Sequence, residues 1–153
     1  MFNQHRLNYA ELDAESYKLL YDMEIHLESC EISDHLKTLI KLKASMINKC
    51  AFCIQMHTQE GHKAGLTEQQ MFAVAAWEES PLFGDTERAV LALTEEVTLV
   101  SEHGISEVVY QQALALLGEK TLAQCITQIV TINVWNRIAL ATRMYFENQY
   151  LRI

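Results

Sequence analysis

The sequence predicts an all-α fold, and three observations carry that expectation. Half of the 153 residues are hydrophobic, yet only five glycines and one proline interrupt them. Such a composition favours long helices over many short strands joined by tight turns. Apolar residues also recur at three- and four-residue spacing, the period of one helix face. No internal repeat, linker or low-complexity segment divides the chain. Its length suits one domain, spanning 1–153, that buries about two-thirds of the surface its unfolded form exposes.

About seven helices are expected. The first, Glu15 to Leu27, carries Leu19, Leu20, Met23 and Leu27 along one face. Ser33 or Asp34 caps the second, which runs through Leu36, Leu39, Ile40, Leu42 and Met46, because a short polar side chain satisfies free N–H groups of the first turn. Ile47-Asn48-Lys49 then starts a third helix, from about Cys50 to Ala64, which Gly65 stops. Thr67-Glu68-Gln69-Gln70 resembles a capping box and opens a fourth through Ala76 or Trp77. Ser80-Pro81-Leu82-Phe83-Gly84 is a break, after which Asp85 caps a fifth helix with Glu87 in its first turn and Ala89, Leu91, Leu93 and Val97 in or near the core. Ser106 begins a sixth, ending near Gly118, and Lys120 to about Tyr145 forms the last and longest. The segment Leu122 to Val134 is rich in β-branched residues, which lowers helix propensity, but its length and lack of turn residues favour a buried helix.

A formal charge of −8, with no local Lys/Arg cluster, disfavours nonspecific binding to nucleic acid or to an anionic membrane surface. The N-terminus, Met1-Phe2-Asn3-Gln4-His5-Arg6, lacks the apolar core of a signal peptide, and no apolar run approaches the roughly 20 residues of a membrane span. The cytoplasm is therefore the expected compartment, where a CxxC pair is catalytic or metal-binding more often than structural.

Cys50-Ala51-Phe52-Cys53, followed by His57, places two thiols and an imidazole on one helical stripe. A three-residue helical offset brings the two Cα atoms to roughly 5 Å, inside the disulfide window. The pair can thus open and close with little backbone movement, and a helix N-terminus with Lys49 nearby favours thiolate. Zinc is the rival chemistry: the second ligand pair of a structural site is missing, since Cys30 and Cys125 are isolated, but a site of Cys50, Cys53, His57 and a water stays open. No Gly-rich phosphate loop or haem-attachment motif is present, so no cofactor is expected.

The run Lys41 to Glu60, with Ser45-Met46-Ile47-Asn48 ahead of Cys50, Cys53 and His57, resembles the AhpD-like (alkylhydroperoxidase D) branch of the carboxymuconolactone decarboxylase superfamily. Lys63-Ala64-Gly65, Ala75-Ala76-Trp77-Glu78, Thr86-Glu87-Arg88-Ala89 and Leu91-Ala92-Leu93-Thr94-Glu95 extend the resemblance over roughly residues 36–100. It implies an AhpD-like helical bundle, with the CxxC at the N-terminal end of a central helix, assembled as a homo-oligomer, either trimer or hexamer. It also implies a peroxiredoxin-type thiol peroxidase: Cys53 attacks a hydroperoxide, Cys50 resolves the sulfenic acid as a disulfide, and an external dithiol, thioredoxin-like or a lipoyl protein, reduces it. His57 would accept or stabilise the Cys53 proton.

Two family positions differ. The relay glutamate twelve residues before the first Cys is Thr38 here, and the histidine preceding the second Cys is Phe52. Thr38 is a candidate holder of a relay water through its hydroxyl. His35, one turn earlier, is a candidate substitute base. Glu60 and His62 flank His57, and both, like His35, also read as solvated surface residues. Trp77, Trp135, Phe72, Phe83 and Tyr145 read as core packing, with an apolar substrate pocket as the other option. Cys30 and Cys125 read as buried small hydrophobes, Glu78-Glu79 and Glu95-Glu96 as solvated faces, and Arg137 as an exposed edge or an interface ion pair. The alternatives to a peroxidase are a non-catalytic oligomer that senses redox state or binds metal, and a protein disulfide reductase. The decarboxylase or lactone chemistry of the wider superfamily does not depend on a CxxC pair.

Overall fold

The computed structural model describes residues 5–145, which fold as helices joined by short turns, with no strand among them. The order is α1 (Tyr9–Leu12), α2 (Ala14–Glu28), α3 (Asp34–Ile47), α4 (Ala51–Lys63), α5 (Glu68–Ala73), a 3-10 segment (Val74–Glu79), α6 (Asp85–Thr98), α7 (Val100–His103) and α8 (Glu107–Thr142).

Helix α3 packs against α4, α6 and α8. Its apolar residues point two ways, which divides the core. Ile40 and Ala44 join Val90 and Leu93 of α6 and Cys125, Ile129 and Ile132 of α8, while Leu39 and Leu42 join Met71, Val74, Trp77, Phe83 and Leu91 on the other side. α3 also buries Lys43, whose Nζ lies 2.7 Å from Glu95 Oε2 of α6; Trp77 Nε1 donates to the same carboxylate. Glu95 is thus an inter-helix partner rather than a solvated face, and Glu96 accepts from the N–H and hydroxyl of Ser106.

Most expected helix ends lie within two residues of the observed ones, and the exceptions have local causes. The fourth predicted helix is α only to Ala73; the chain then tightens to 3-10 and kinks at Ala76. Gly84, not Asp85, is the N-cap of α6, with its N–H donating to Glu87 Oε2 at 2.7 Å. The break near Gly118 is real. Gly118 takes φ 74°, ψ 164° inside α8, a conformation open to glycine because it has no Cβ, and helix runs on either side of it. Helix α8 ends at Thr142, short of Tyr145, where Arg143 turns left-handed and Met144 N–H bonds back to Ala139 O.

Helix α2 departs most from expectation. Of its residues only Leu27 is buried, whereas Leu19, assigned to its core face from spacing, is 69 % exposed. Met23 and Ile25 are exposed as well, as are Val130 and Leu140 of α8. Among the described residues no helix is long and apolar enough to cross a membrane.

Candidate functional site

The site is built at the reversal between α3 and α4. Ile47-Asn48-Lys49 does not start α4; it ends α3, with Asn48 as C-cap and Lys49 at φ 57°. Positive φ is uncommon for a residue with a Cβ, so the turn needs support. Cys50 N–H donates to Ser45 O at 2.9 Å. Asn48 Nδ2 donates to Asn133 Oδ1 and to Asn136 Oδ1, both at 2.9 Å, and Asn136 Nδ2 donates to Ser45 Oγ at 3.0 Å. The Ser45 and Asn48 positions of the sequence motif are therefore the α3 half of a polar clamp whose other half lies on α8.

The clamp leaves Cys50 extended as N-cap of α4, its Sγ accepting from Cys53 N–H at 3.3 Å. Cys50 and Cys53 are joined as a disulfide with Cα atoms 5.3 Å apart, and are 1 % and 2 % exposed. The buried face of α4 is one stripe, Cys53, His57 and Gly61. His57 is 3 % exposed. Its Nδ1 lies 2.9 Å from Glu60 Oε2, and because an ionised carboxylate only accepts, Nδ1 is the protonated nitrogen. Nε2 is buried and has no hydrogen-bond partner among the described residues. Lys41 Nζ of α3 stands 3.5 Å from Glu60 Oε2 and 3.7 Å from Glu24 Oε2 of α2. The hydrogen bond from His57 is the largest influence holding the Glu60 carboxyl below its ordinary range, against the opposing effect of burial and with help from Lys41.

Cys53 and His57 open onto a cavity of about 380 Å³. Tyr17, Tyr21, Phe52, Met56, Ile132 and Trp135 give it an apolar wall, while Glu24, Glu28, Lys41 and Glu60 give it a polar one. Tyr17 and Trp135 meet edge to face at 5.6 Å, tying α2 to α8 across that wall. Among the described residues no three His, Cys, Asp or Glu side chains converge as a metal site.

Of the residues singled out from sequence, Cys50, Cys53 and His57 come together. Thr38 is buried, donates its hydroxyl to Asp34 O at 2.8 Å, and lines a neighbouring groove that shares Glu28, Lys41 and Glu60 with the cavity. His35 turns to α6, its Nε2 2.5 Å from Glu87 Oε1. His62 is exposed. Glu60, read as a solvated alternative, is instead the His57 partner, and the signal for it was an acid three residues after a histidine on the same helix. Trp135 packs against the core and also walls the cavity, Phe72 is 77 % exposed, and Tyr145 stacks on His5 at 4.6 Å; Trp77 and Phe83 are core. Cys125 is fully buried but Cys30 is only half-buried, with its Sγ 3.8 Å from His26 Nε2. Arg137 is exposed and donates to the backbone and side-chain oxygens of Asn133.

Comparison with known proteins places these features in a family. A family model described as the carboxymuconolactone decarboxylase family matches residues 16–96. The uncharacterized protein YdfG of Bacillus subtilis (strain 168) is 35 % identical over 136 residues, 89 % of this chain and 92 % of that one. The crystal structure of ATU0492 from Agrobacterium tumefaciens, a protein of unknown function for which the antioxidant defence protein AhpD has been suggested, superimposes with a TM-score of 0.92 at 34 % identity. That match covers 95 % of this chain and all of the other. An uncharacterized peroxidase-related protein from Silicibacter sp. TM1040 shares the fold, with a TM-score of 0.78 at 21 % identity over 90 % of this chain and 73 % of its own.

Proposed function

The chain belongs to the carboxymuconolactone decarboxylase family and has an AhpD-like fold around a CxxC disulfide; on that premise we propose that it is a thiol-dependent oxidoreductase, an alkylhydroperoxidase-like peroxidase. The observation that carries the proposal is the Cys50–Cys53 disulfide beside His57 at the edge of a mostly apolar cavity. In the cycle proposed, the reduced Cys53 thiolate attacks the terminal oxygen of a hydroperoxide, the alcohol leaves, and Cys53 becomes a sulfenic acid. Cys50 displaces water from it and closes the disulfide, which an external dithiol, thioredoxin-like or lipoyl-bearing, reopens.

Access to Cys53 supports the peroxide reading. Cys53 is nearly inaccessible from the outer surface but lines the cavity, which supports a small hydroperoxide as its oxidant and an extended dithiol arm as the means by which the reductant reaches the disulfide. Exposed apolar side chains on α2 and α8, such as Leu19, Ile25, Val130 and Leu140, support homo-oligomeric assembly as trimer or hexamer, because a monomer leaves them in water. The cytoplasm, one domain over 1–153 and the absence of nucleic-acid and membrane partners complete the reading.

The test is stopped-flow oxidation of the dithiol-reduced protein by cumene hydroperoxide, with mass spectrometry of the product and Cys53→Ser as control. Fast oxidation that needs Cys53 and yields the Cys50–Cys53 disulfide is the expected result. A rate no greater than that of an ordinary exposed thiol overturns the assignment.

A further inference from the structure

We infer that Glu60 is the positioning residue for His57, so that the proton path of this site runs along α4 from Cys53 to His57, braced by Glu60 and Lys41, rather than through position 38. The inference rests on the peroxidase reading and names the group that makes His57 competent in it.

Four observations converge. Glu60 stands one turn beyond His57, with its carboxylate 2.9 Å from Nδ1, which fixes the proton on that nitrogen. In the neutral ring this leaves the lone pair on Nε2, which is buried without a hydrogen-bond partner among the described residues, on a side chain that lines the same cavity as Cys53. An acceptor so placed, on the cavity that Cys53 also lines, is suited to receive the thiol proton. Lys41 stands between Glu24 and Glu60, at 3.7 and 3.5 Å, and its ammonium adds to the hydrogen bond from His57 in holding Glu60 ionised. Finally, Thr38 is engaged with Asp34 O and His35 with Glu87 of α6. Among the described residues, the charged and titratable groups that share the cavity with His57 are Cys53 and Glu60 of α4, Lys41 of α3, and Tyr17, Tyr21, Glu24 and Glu28 of α2.

In the reduced protein Nε2 accepts the proton of the Cys53 thiol, and the positive charge on the imidazole is matched by Glu60. The thiolate forms an S–O bond to the terminal oxygen while the O–O bond breaks, and the departing alkoxide takes the proton back from Nε2 and leaves as alcohol. Attack by the Cys50 thiol then forms the S–S bond and breaks the S–O bond, and the hydroxide leaves with the Cys50 proton as water. The hydroperoxide has gained two electrons from two thiols. Glu60 transfers no proton; it sets the tautomer and stabilises the imidazolium.

The experiment is the pH profile of Cys53 oxidation by cumene hydroperoxide in wild type, Glu60→Gln, His57→Ala and the double variant. Glutamine still accepts from Nδ1–H but lacks the charge. Glu60→Gln is expected to slow oxidation at pH 7 by about tenfold and to move the midpoint of the profile up. In the His57→Ala background the same change is expected to alter the rate by less than about twofold, since Glu60 acts through His57. An unchanged profile, or an equal effect with and without His57, overturns the inference while leaving the peroxidase assignment standing. The ring nitrogens of His57, read by 15N NMR in the disulfide form, test it without any turnover. Protonated Nδ1 with a free Nε2, lost in Glu60→Ala, is expected; a protonated Nε2 in wild type overturns the inference even if no peroxide reacts.

Discussion

Replacing Asn48 with alanine removes the centre of the clamp that shapes the α3–α4 reversal. Two hydrogen bonds of 2.9 Å are lost, each contributing about 0.5–1.5 kcal/mol net. The two acceptors then fare differently. Asn133 Oδ1 keeps the Arg137 N–H at 2.8 Å, but Asn136 is fully buried and its Oδ1 is left without that donor, which adds about 1–3 kcal/mol. The sum is about 2–6 kcal/mol, and water entering at the half-buried Asn48 position brings the expectation to about 2–4 kcal/mol. Urea unfolding of the disulfide form, at one fixed protein concentration, reads this as a drop in midpoint of about 1–2 M for an m-value near 2 kcal/mol/M. Asn136→Ala in the same background supplies the cycle, with an expected coupling of about 1 kcal/mol or more. A loss below about 0.5 kcal/mol, or strict additivity of the two substitutions, would mean that the clamp does not hold the turn.

Further expectations concern the rest of the scaffold. Glu95→Gln strands the buried Lys43 ammonium and should cost about 1–3 kcal/mol, whereas Lys43→Met leaves a part-exposed Glu95 still bonded to Trp77 and should change stability by less than about 1 kcal/mol; chemical denaturation of both variants gives the comparison. Burial pushes the Glu95 carboxyl up, but the hydrogen bonds from Lys43 and Trp77 outweigh it and hold it below the ordinary value of 4.5. Its contribution is therefore full above pH 4.5 and lost as the pH falls through the lower folded value, so the Tm difference between wild type and Glu95→Gln should shrink only below pH 4.5. A Cβ at Gly61 would lie 2.6 Å from Met71 Sδ, so Gly61→Ala should gain its helix-propensity benefit of about 1 kcal/mol only in a Met71→Ala background, a difference that thermal melts resolve. Burial raises the Cys125 thiol to about 12, so an aromatic disulfide reagent at pH 8 should label it only on unfolding while half-buried Cys30 reacts in the native protein; prompt labelling of Cys125 would contradict its burial.

What the sequence determined by itself was local. Ser33, Thr67, Gly65 and Gly118 start, stop or break helices through bonds and dihedrals confined to a few residues, so their effect is legible without knowing what the helices meet. The same holds for Cys53 and His57, whose four-residue spacing sets them on one face of α4. Tertiary structure decided what those faces encounter. Periodicity marked Leu19 as apolar, but only packing shows that α2 turns it outward; Trp135 packs on the core as its composition suggests, and only the assembled helices make its other side a cavity wall. Glu60 looked like a solvated helix residue until Lys41, nineteen positions earlier, came within 3.5 Å of its carboxylate. Asn48 finds partners 85 and 88 residues away. Period, cap and spacing are properties of one helix, whereas a relay, a clamp and a cavity belong to pairs of helices, and pairing is fixed by how buried surfaces fit rather than by any one segment.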